Sequence, residues 1–180
     1  MGLSVSMSIS KGRSGSWTGV LTPNAEGSTA FTQIDTETPP DTLIASEDSS
    51  EYDATQLNTI SVDDSNNVLA SSVTKYSSHR LKVKVGATPD SMTLLAKGYG
   101  TGGGADEGWK MYIWNFTTST WGVELDSHTT DGKDTLSAVI SEDVGDYVDE
   151  DGYVQVLLSA YTGTALAGST SRLYYFELAI

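Results

Sequence analysis

Residues 81–86 read Leu-Lys-Val-Lys-Val-Gly, and this short stretch decides the fold class. Apolar and cationic side chains alternate in it, so the apolar set lies on one face of an extended strand that ends at the glycine. Comparable strand-like runs recur at residues 109–116, 153–158 and 173–180. Turn-forming residues separate these runs, and no stretch keeps a helical period over three turns. The sequence therefore predicts an all-β protein, an antiparallel jelly-roll or similar sandwich of about eight to ten strands.

The composition excludes several classes of function. The chain has 180 residues, which suits one domain or one domain with a long arm. Its net charge of −14 repels phosphate backbones and anionic headgroups, so a nucleic-acid partner is not expected. Its apolar runs are far shorter than the roughly 20 residues of a membrane span, so membrane insertion is not expected either. The absence of cysteine excludes disulfides and leaves oxygen or imidazole ligands for any metal.

The two parts of the chain differ in regularity. Residues 1–79 combine short strand patterns, among them an alternation over residues 3–9, with long loops rich in Ser, Thr, Asp and Glu. Apolar residues recur too often there for a plain linker, so this part is predicted either to complete the sandwich or to form an arm that docks on other subunits. Residues 80–180 carry the more regular pattern and are predicted to form the sandwich itself.

Three stretches within the C-terminal part resemble strands of the galactose-binding-like jelly-roll modules of surface and virion proteins. Residues 111–121 look like a strand, a Thr/Ser turn and a returning strand that begins at Trp121. Residues 147–156 look like a loop that leads into a central strand, and residues 173–178 look like the closing strand. The resemblance covers a little over half of the chain. It implies the fold but no particular function, because one fold hosts many unrelated sites.

The acidic run before Gly152 is a candidate metal site. Its carboxylates belong to Asp143, Asp146, Asp149, Glu150 and Asp151. Several carboxylates on one loop could supply the six to eight oxygens that calcium prefers, so calcium is the one cofactor that the sequence suggests. The spacing does not follow the helix-loop-helix calcium pattern. The alternative is a solvated acidic loop in which Asp151 and Gly152 form a turn.

The aromatic residues suggest a binding surface, because sugar rings stack on flat aromatic faces while polar groups satisfy their hydroxyls. Trp109 and Tyr99 lie beside a run of glycines that is predicted to be a flexible loop, and they are the candidate ligand contacts. The other aromatic residues of this region, Trp114, Phe116 and Trp121, are expected to face the sandwich interior or its edge.

The sequence contains no recognisable catalytic motif. Its two histidines, His79 and His128, lie in polar, turn-like settings without the spacing of a zinc hydrolase. The glycine-rich residues 98–104 are not followed by Lys and Ser/Thr, so they do not form a phosphate-binding loop. An enzyme is therefore not predicted.

Two functions remain. The first is a structural virion protein of a tailed virus or phage, such as a capsid decoration, turret, fibre or tail component. Such a protein would form homo-oligomers and contact other structural subunits, burying apolar strand edges. The alternative is a carbohydrate-binding or adhesive module of a cell-surface protein, with a cell-surface glycan as its partner. The first function predicts that the protein is located in the virion, and the second predicts that it is extracellular or on a cell surface.

Overall fold

The computed structural model describes residues 19–35, 50–73, 75–102, 108–122, 124–129, 132–160 and 168–180. These residues form two antiparallel β-sheets and one short α-helix, so the predicted all-β sandwich is confirmed. The predicted strand at residues 3–9 lies outside the described residues. Among the described residues, no helix combines the length and apolar character that crossing a bilayer requires.

The strands are short, with only two reaching eleven residues. In chain order they are β1 (Val20–Leu21), β2 (Thr29–Asp35), β3 (Ser50–Glu51), β4 (Val68–Ser72), β5 (Tyr76–Lys84), β6 (Met92–Gly102), β7 (Trp109–Asn115), β8 (Thr120–Trp121), β9 (Asp126–His128), β10 (Asp134–Ile140), β11 (Tyr153–Ala160) and β12 (Ser169–Ala179). The α-helix α1 spans Ala54–Ile60, and a 3-10 helix spans Val144–Tyr147.

The five-stranded sheet is built around β12. Strand β6 pairs along one side of β12, and β10 follows β6. On the other side, β4 pairs with residues 169–173 and β1 pairs with residues 178–179, so two separate strands share that edge. A register shift between Leu173 and Tyr175 interrupts the pairing with β6. This bulge turns the side chains of both Tyr174 and Tyr175 away from the core, while Leu173 and Phe176 remain fully buried.

The seven-stranded sheet has the order β3-β2-β5-β11-β7, and β8 and β9 pair with opposite ends of β7. Strand β2 pairs with β5 over seven residues. Strand β5 itself runs through the boundary that the sequence placed at residue 79. The described strands of residues 19–35 and 50–73 therefore belong to the same two sheets as the strands of residues 80–180.

The main hydrophobic core lies between the two sheets. It takes alternate residues from both of them, including Leu81, Val83, Leu94, Val156 and Phe176, all of which are completely buried. Burying side chains of this size contributes about 1.5 to 3 kcal/mol each, so this layer supplies the main driving force for folding.

Two local predictions are corrected by the structure. Residues 57–60, in the part expected to hold short strands and loops, belong to α1. The side chain of Asp53 caps this helix by accepting a hydrogen bond from the backbone N–H of Gln56, and the side chain of Gln56 accepts one from the backbone N–H of Asp53. The segment 99–102 was expected to be a flexible loop, but it forms the end of β6. Pairing with β12 at residues 169–172 fixes it in extended form.

Candidate functional site

The candidate site lies on the outer face of the seven-stranded sheet, and strand alternation places its residues there. In β7, Met111 and Ile113 point into the main core, so Tyr112 and Trp114 point to the opposite side. The same alternation in β11 turns Leu157 outward between two core residues. Of the two predicted places for Trp114, Phe116 and Trp121, the interior or the edge of the sandwich, the interior is excluded, because they join a second cluster on the outer face at the β7–β8 edge of the sheet.

The register arranges the outer face in rows that cross the strands. The first row is polar and consists of Gln33, Ser78, Ser159, Lys110 and Ser127. The second row consists of Phe31, Arg80, Leu157 and Tyr112. The third row begins with Thr29, Lys82 and Gln155. Because Val156 pairs with Ile113, the neighbouring Gln155 lies opposite Trp114, and Trp114 pairs in turn with Trp121. Successive rows are two residues, or about 7 Å, apart along the strands.

The second hydrophobic cluster occupies the β11, β7 and β8 side of this face. Trp114 and Trp121 meet edge to face, with ring centroids 5.4 Å apart and an interplanar angle of 78°. Tyr112 and Leu157 pack beside them, and Phe116 covers the margin. Each of the three aromatic rings Tyr112, Trp114 and Trp121 keeps only 5–7% of its surface exposed. The cluster thus offers a rigid, nearly closed aromatic floor.

Buried polar atoms without a partner also lie on this face of the sheet. Among the described residues, nothing hydrogen-bonds the side-chain oxygen or nitrogen of Gln33, the side-chain oxygen of Gln155 or the indole nitrogen of Trp121. Gln33 is completely buried and Gln155 is 7% exposed. A buried polar group without a partner costs about 1 to 3 kcal/mol, and protein interiors rarely tolerate several of them together. Hydroxyl groups of a bound molecule can both donate to and accept from such atoms.

Cations line the remaining part of the face. The guanidinium of Arg80 lies 4.5 Å from the ring centre of Phe31, and the ammonium of Lys82 lies 4.1 Å from that of Tyr153. Lys110 forms an ion pair with Glu124 at the β7 edge. Burial on its own raises the pKa of Glu124, but hydrogen bonds from Lys110 and Ser127 and the charge of Lys110 bring it below its usual value. Glu124 is therefore ionised at neutral pH.

Trp109 does not lie on a loop. It is the first residue of β7, and with 1% of its surface exposed it belongs to the main core. Its indole fills the space above Gly98, where an added Cβ would come within 2.3 Å of the ring. The indole is thus a packing residue closed off from solvent, and the geometry gives no support to its predicted contact with a ligand.

Tyr99 lies on the outer face of the five-stranded sheet, on the side of the molecule opposite the candidate site. Its ring stacks on Tyr174 with centroids 6.3 Å apart, and the guanidinium of Arg172 lies 5.7 Å from its centre. Tyr99 and Trp109 therefore do not form one surface. The role of Tyr99 as a ligand contact stays a prediction.

The predicted calcium ligands are not brought together. Asp149 accepts a hydrogen bond from the backbone of Tyr153, at 2.8 Å, and Asp146 accepts one from the hydroxyl of Thr117, at 2.8 Å. Asp143 is exposed and has a positive φ of 49°. The described part of the chain, which includes Asp143, Asp146, Asp149 and Asp151, holds no group of three or more acidic, histidine or cysteine residues arranged for a metal. Asp149 instead stabilises the loop between the 3-10 helix and β11, and Asp146 ties the 3-10 helix to the turn between β7 and β8.

The two histidines occupy very different places. His79 is completely buried between the sheets, where its Nδ1 hydrogen-bonds the hydroxyl of Tyr52. Burial lowers the pKa of His79 to about 4, against a weaker opposing effect of a hydrogen bond with the backbone of Ser171. The prediction of a turn-like setting is thus wrong for His79. His128 is partly exposed at the end of β9 and lies 2.6 Å from Asp134.

The sequence reading missed the residues of the outer face, chiefly Tyr112, Gln155 and Arg80. A signal for them exists in β5 and β11. Lys82 and Lys84 alternate with core residues, and Gln155 is the one polar residue in the apolar run of residues 154–158. A polar residue in the middle of a central strand marks the face that is not packed against the other sheet.

Comparison with solved structures supports the architecture. A xylan-binding module, CBM15, superposes with a TM-score of 0.51 at 14% identity and covers 91% of this chain and 97% of that chain. The CBM22-1 xylan-binding domain of Paenibacillus barcinonensis Xyn10C has a TM-score of 0.37 at 8% identity, over 64% of this chain and 82% of its own. A bacteriophage CBA120 tailspike protein 4 domain also has a TM-score of 0.37 at 8% identity, over 88% of this chain and 20% of its own. No curated protein matches the sequence.

These features define the class as a jelly-roll β-sandwich with an aromatic and polar outer sheet face, in the fold of the xylan-binding module. The superposition with the xylan-binding module exceeds a TM-score of 0.5, and at 14% identity it bears on the fold alone. A family model matches residues 27–180, which is most of the chain. The chain therefore belongs to the AF_1625_C family, described as an uncharacterized protein, C-terminal domain.

Proposed function

We propose that this chain is a glycan-binding module of an extracellular or cell-surface protein and that it acts by binding without catalysis. The observation that carries the proposal is the aromatic floor of the seven-stranded sheet, together with the unpartnered side-chain oxygen of Gln155 and indole nitrogen of Trp121 beside it. A carbohydrate suits such a surface, because its hydroxyls both donate and accept hydrogen bonds while its CH groups pack on aromatic rings.

The arrangement of the rows supports a chain-like ligand. The second and third rows cross β5, β11 and β7, and each runs from a cation on β5 to an aromatic ring on β7, with Leu157 between them in the second row and Gln155 in the third. Neighbouring strands lie about 4.8 Å apart, so the three strands present successive contacts across about 10 Å. An oligosaccharide lying across the strands would meet Lys82, Gln155 and Trp114 in turn.

The fold supports the same reading. The chain shares the architecture of a protein whose name describes it as xylan-binding, and the shared region covers nearly the whole of both chains. The structural virion role has weaker support, because the tailspike domain reaches a TM-score of only 0.37, which is too low to carry an argument. Glycan binding is therefore favoured over a role as a capsid decoration, fibre or tail protein.

The decisive experiment is affinity electrophoresis of the protein in gels that contain individual soluble polysaccharides, among them xylan, followed by calorimetric titration with oligosaccharides of the best polymer. We expect retarded migration in at least one gel. Gln155→Leu should weaken binding up to about tenfold, because one hydrogen bond to the ligand is lost. It should leave the melting temperature unchanged or raise it, because the change removes a buried oxygen that has no partner.

The matched control is Tyr99→Ala, which removes an aromatic side chain from the outer face of the opposite sheet. This variant should bind like the wild type. If Tyr99→Ala abolished binding and Gln155→Leu did not, the site would lie on the five-stranded sheet. If no polysaccharide retarded the protein and it sedimented as a trimer or larger species, assembly would replace glycan binding as the function.

A further inference from the structure

Two lysines of β5 share one aromatic ring at the edge of the proposed site. The ammonium groups of Lys82 and Lys84 lie 4.1 Å and 4.2 Å from the ring centre of Tyr153. Lys84 also donates a hydrogen bond to the backbone oxygen of Asp151. Among the described residues, neither ammonium has a carboxylate within ion-pair distance, and Lys82 has no hydrogen bond. Two like charges thus contact the same aromatic ring.

This arrangement is unusual for so acidic a chain. The protein has 24 acidic and 10 basic residues, so carboxylates outnumber cations more than twofold. Lys97 and Lys110 are paired with Asp63 and Glu124. Lys82 and Lys84 are partly exposed on the outer sheet face, and in the described part of the chain neither forms an ion pair. An anion that comes from outside the chain would complete their charge pairing.

The lysine pair is continuous with the proposed carbohydrate site. Lys82 lies directly opposite Gln155, whose side-chain oxygen is buried and unpartnered, and Lys84 lies opposite Tyr153. The aromatic floor begins on the next strand, β7. A sugar residue held at Gln155 would therefore place its neighbouring substituent beside the two ammonium groups.

We infer that this site selects glycans that carry carboxylates, that is, chains with uronic acid residues, and that Lys82 and Lys84 bind the sugar carboxylate beside Tyr153. The inference rests on the proposed function and narrows its ligand class. Hydrogen bonds between ammonium groups and a carboxylate are roughly twice as strong as neutral ones, so two of them can separate an acidic from a neutral chain.

The test compares each acidic polysaccharide with its own neutral form. The probes are glucuronoxylan, polygalacturonate and alginate, each used before and after chemical reduction of its carboxylates to alcohols, which leaves the backbone in place. We expect the wild type to bind at least one acidic polymer about tenfold more tightly than its reduced form, which corresponds to about 1.4 kcal/mol. The preference should shrink in high salt, because screening weakens charge pairing.

The double variant Lys82→Gln, Lys84→Gln should lose this preference, so that it binds the acidic polymer and its reduced form with equal affinity. Its matched control is Lys133→Gln, because Lys133 also lies over a tyrosine ring, 4.4 Å from the centre of Tyr174, and donates to a backbone oxygen, but on the other sheet. The control variant should keep the preference.

The possible outcomes separate the two proposals. Equal affinity of the wild type for an acidic polymer and its reduced form would overturn the inference and leave glycan binding in place. A preference that survives in the double variant would also overturn it, because the selectivity would then come from other residues. Failure to bind every acidic, reduced and neutral polymer would overturn the proposed function itself.

Discussion

His79 shows how one buried side chain can link folding to pH. The imidazole is completely enclosed and bonded to Tyr52, and its pKa falls to about 4 because burial disfavours the charged form. In an unfolded chain a histidine has a pKa near 6.5. Between these two values the unfolded state binds more protons than the folded state, so stability must fall as the pH is lowered.

We expect the free energy of unfolding to lose about 3 kcal/mol through His79 as the pH falls from about 7 to about 4, since each pKa unit corresponds to about 1.36 kcal/mol. Urea unfolding at several pH values measures this loss. Other groups titrate over the same range, so the quantity to compare is the difference between the wild type and His79→Leu.

The Tyr52→Phe variant serves as the control for this experiment. It removes the hydroxyl that His79 contacts but keeps the imidazole buried. It should therefore lower stability at every pH and retain most of the wild-type pH slope, whereas His79→Leu should lack that contribution. Parallel pH profiles of the wild type and His79→Leu would show that the imidazole does not titrate with folding.

At the scale of single elements, α1 depends on its first turn. The helix has only seven residues, which is too short to be stable on its own. The reciprocal hydrogen bonds of Asp53 and Gln56, both 2.8–2.9 Å, satisfy backbone groups that the helix leaves open. Ile60 anchors the other end in the core with no exposed surface.

We therefore expect Asp53→Ala to lower the free energy of unfolding by about 0.5 to 2 kcal/mol, because the cap is lost. Asp53→Ser keeps an oxygen that can accept from the same backbone nitrogen and should lose much less. Chemical unfolding monitored by tryptophan fluorescence measures both changes. If the two variants were equally destabilised, the carboxylate charge rather than the cap would be responsible.

The elements also show what sequence patterns can and cannot determine. Residues 81–84 of β5 are predicted well because apolar and charged residues alternate there in one phase, whereas His79 of the same strand was expected in a turn. Residues 111–114 are apolar at every position, so the pattern reveals a strand but not that Tyr112 and Trp114 face outward. The end of β6 is rich in glycine and reads as a loop, whereas its pairing with β12 holds it extended. The helix α1 is shorter than the three turns that periodicity needs, and only its capping residues signal it.

The candidate site was harder to predict than the fold, for a physical reason. Tyr112, Gln155 and Lys82 lie at least 30 residues apart along the chain and meet only because β5, β11 and β7 are neighbours in the sheet. Neither strand order nor register follows from the local sequence. The sequence also suggested that Trp109 is exposed, because the glycines near it are typical of an open loop. In the structure, Gly98 provides the space in which the indole of Trp109 is buried.

At the scale of the whole molecule, the net negative charge destabilises the folded state. The net charge of −14 makes the compact state repel itself, and much of this charge lies in exposed loops such as residues 142–151. The described cations lie mainly on strand faces, with three of them on the outer side of β5, namely Arg80, Lys82 and Lys84.

We expect the melting temperature to rise when ionic strength increases from about 0.01 M to about 0.15 M, because the Debye length falls from about 30 Å to about 8 Å and the repulsion is screened. Differential scanning calorimetry in sodium chloride measures this change. Uncharged sucrose at equal osmolality is a control for effects that do not depend on charge. A melting temperature that fell with added salt would mean that the ion pairs of this chain outweigh its net repulsion.

The position of β12 has a consequence for how the chain reaches its native state. This strand bonds to β6 on one side and to β4 and β1 on the other, and its partner Val20 is separated from Ala179 by most of the sequence. Contacts between residues so distant in sequence require the closure of long loops before any energy is gained, and proteins dominated by them fold over milliseconds to seconds. Until β12 inserts, β1, β4 and β6 have open edges towards one another, so a partly folded intermediate would be prone to intermolecular strand pairing.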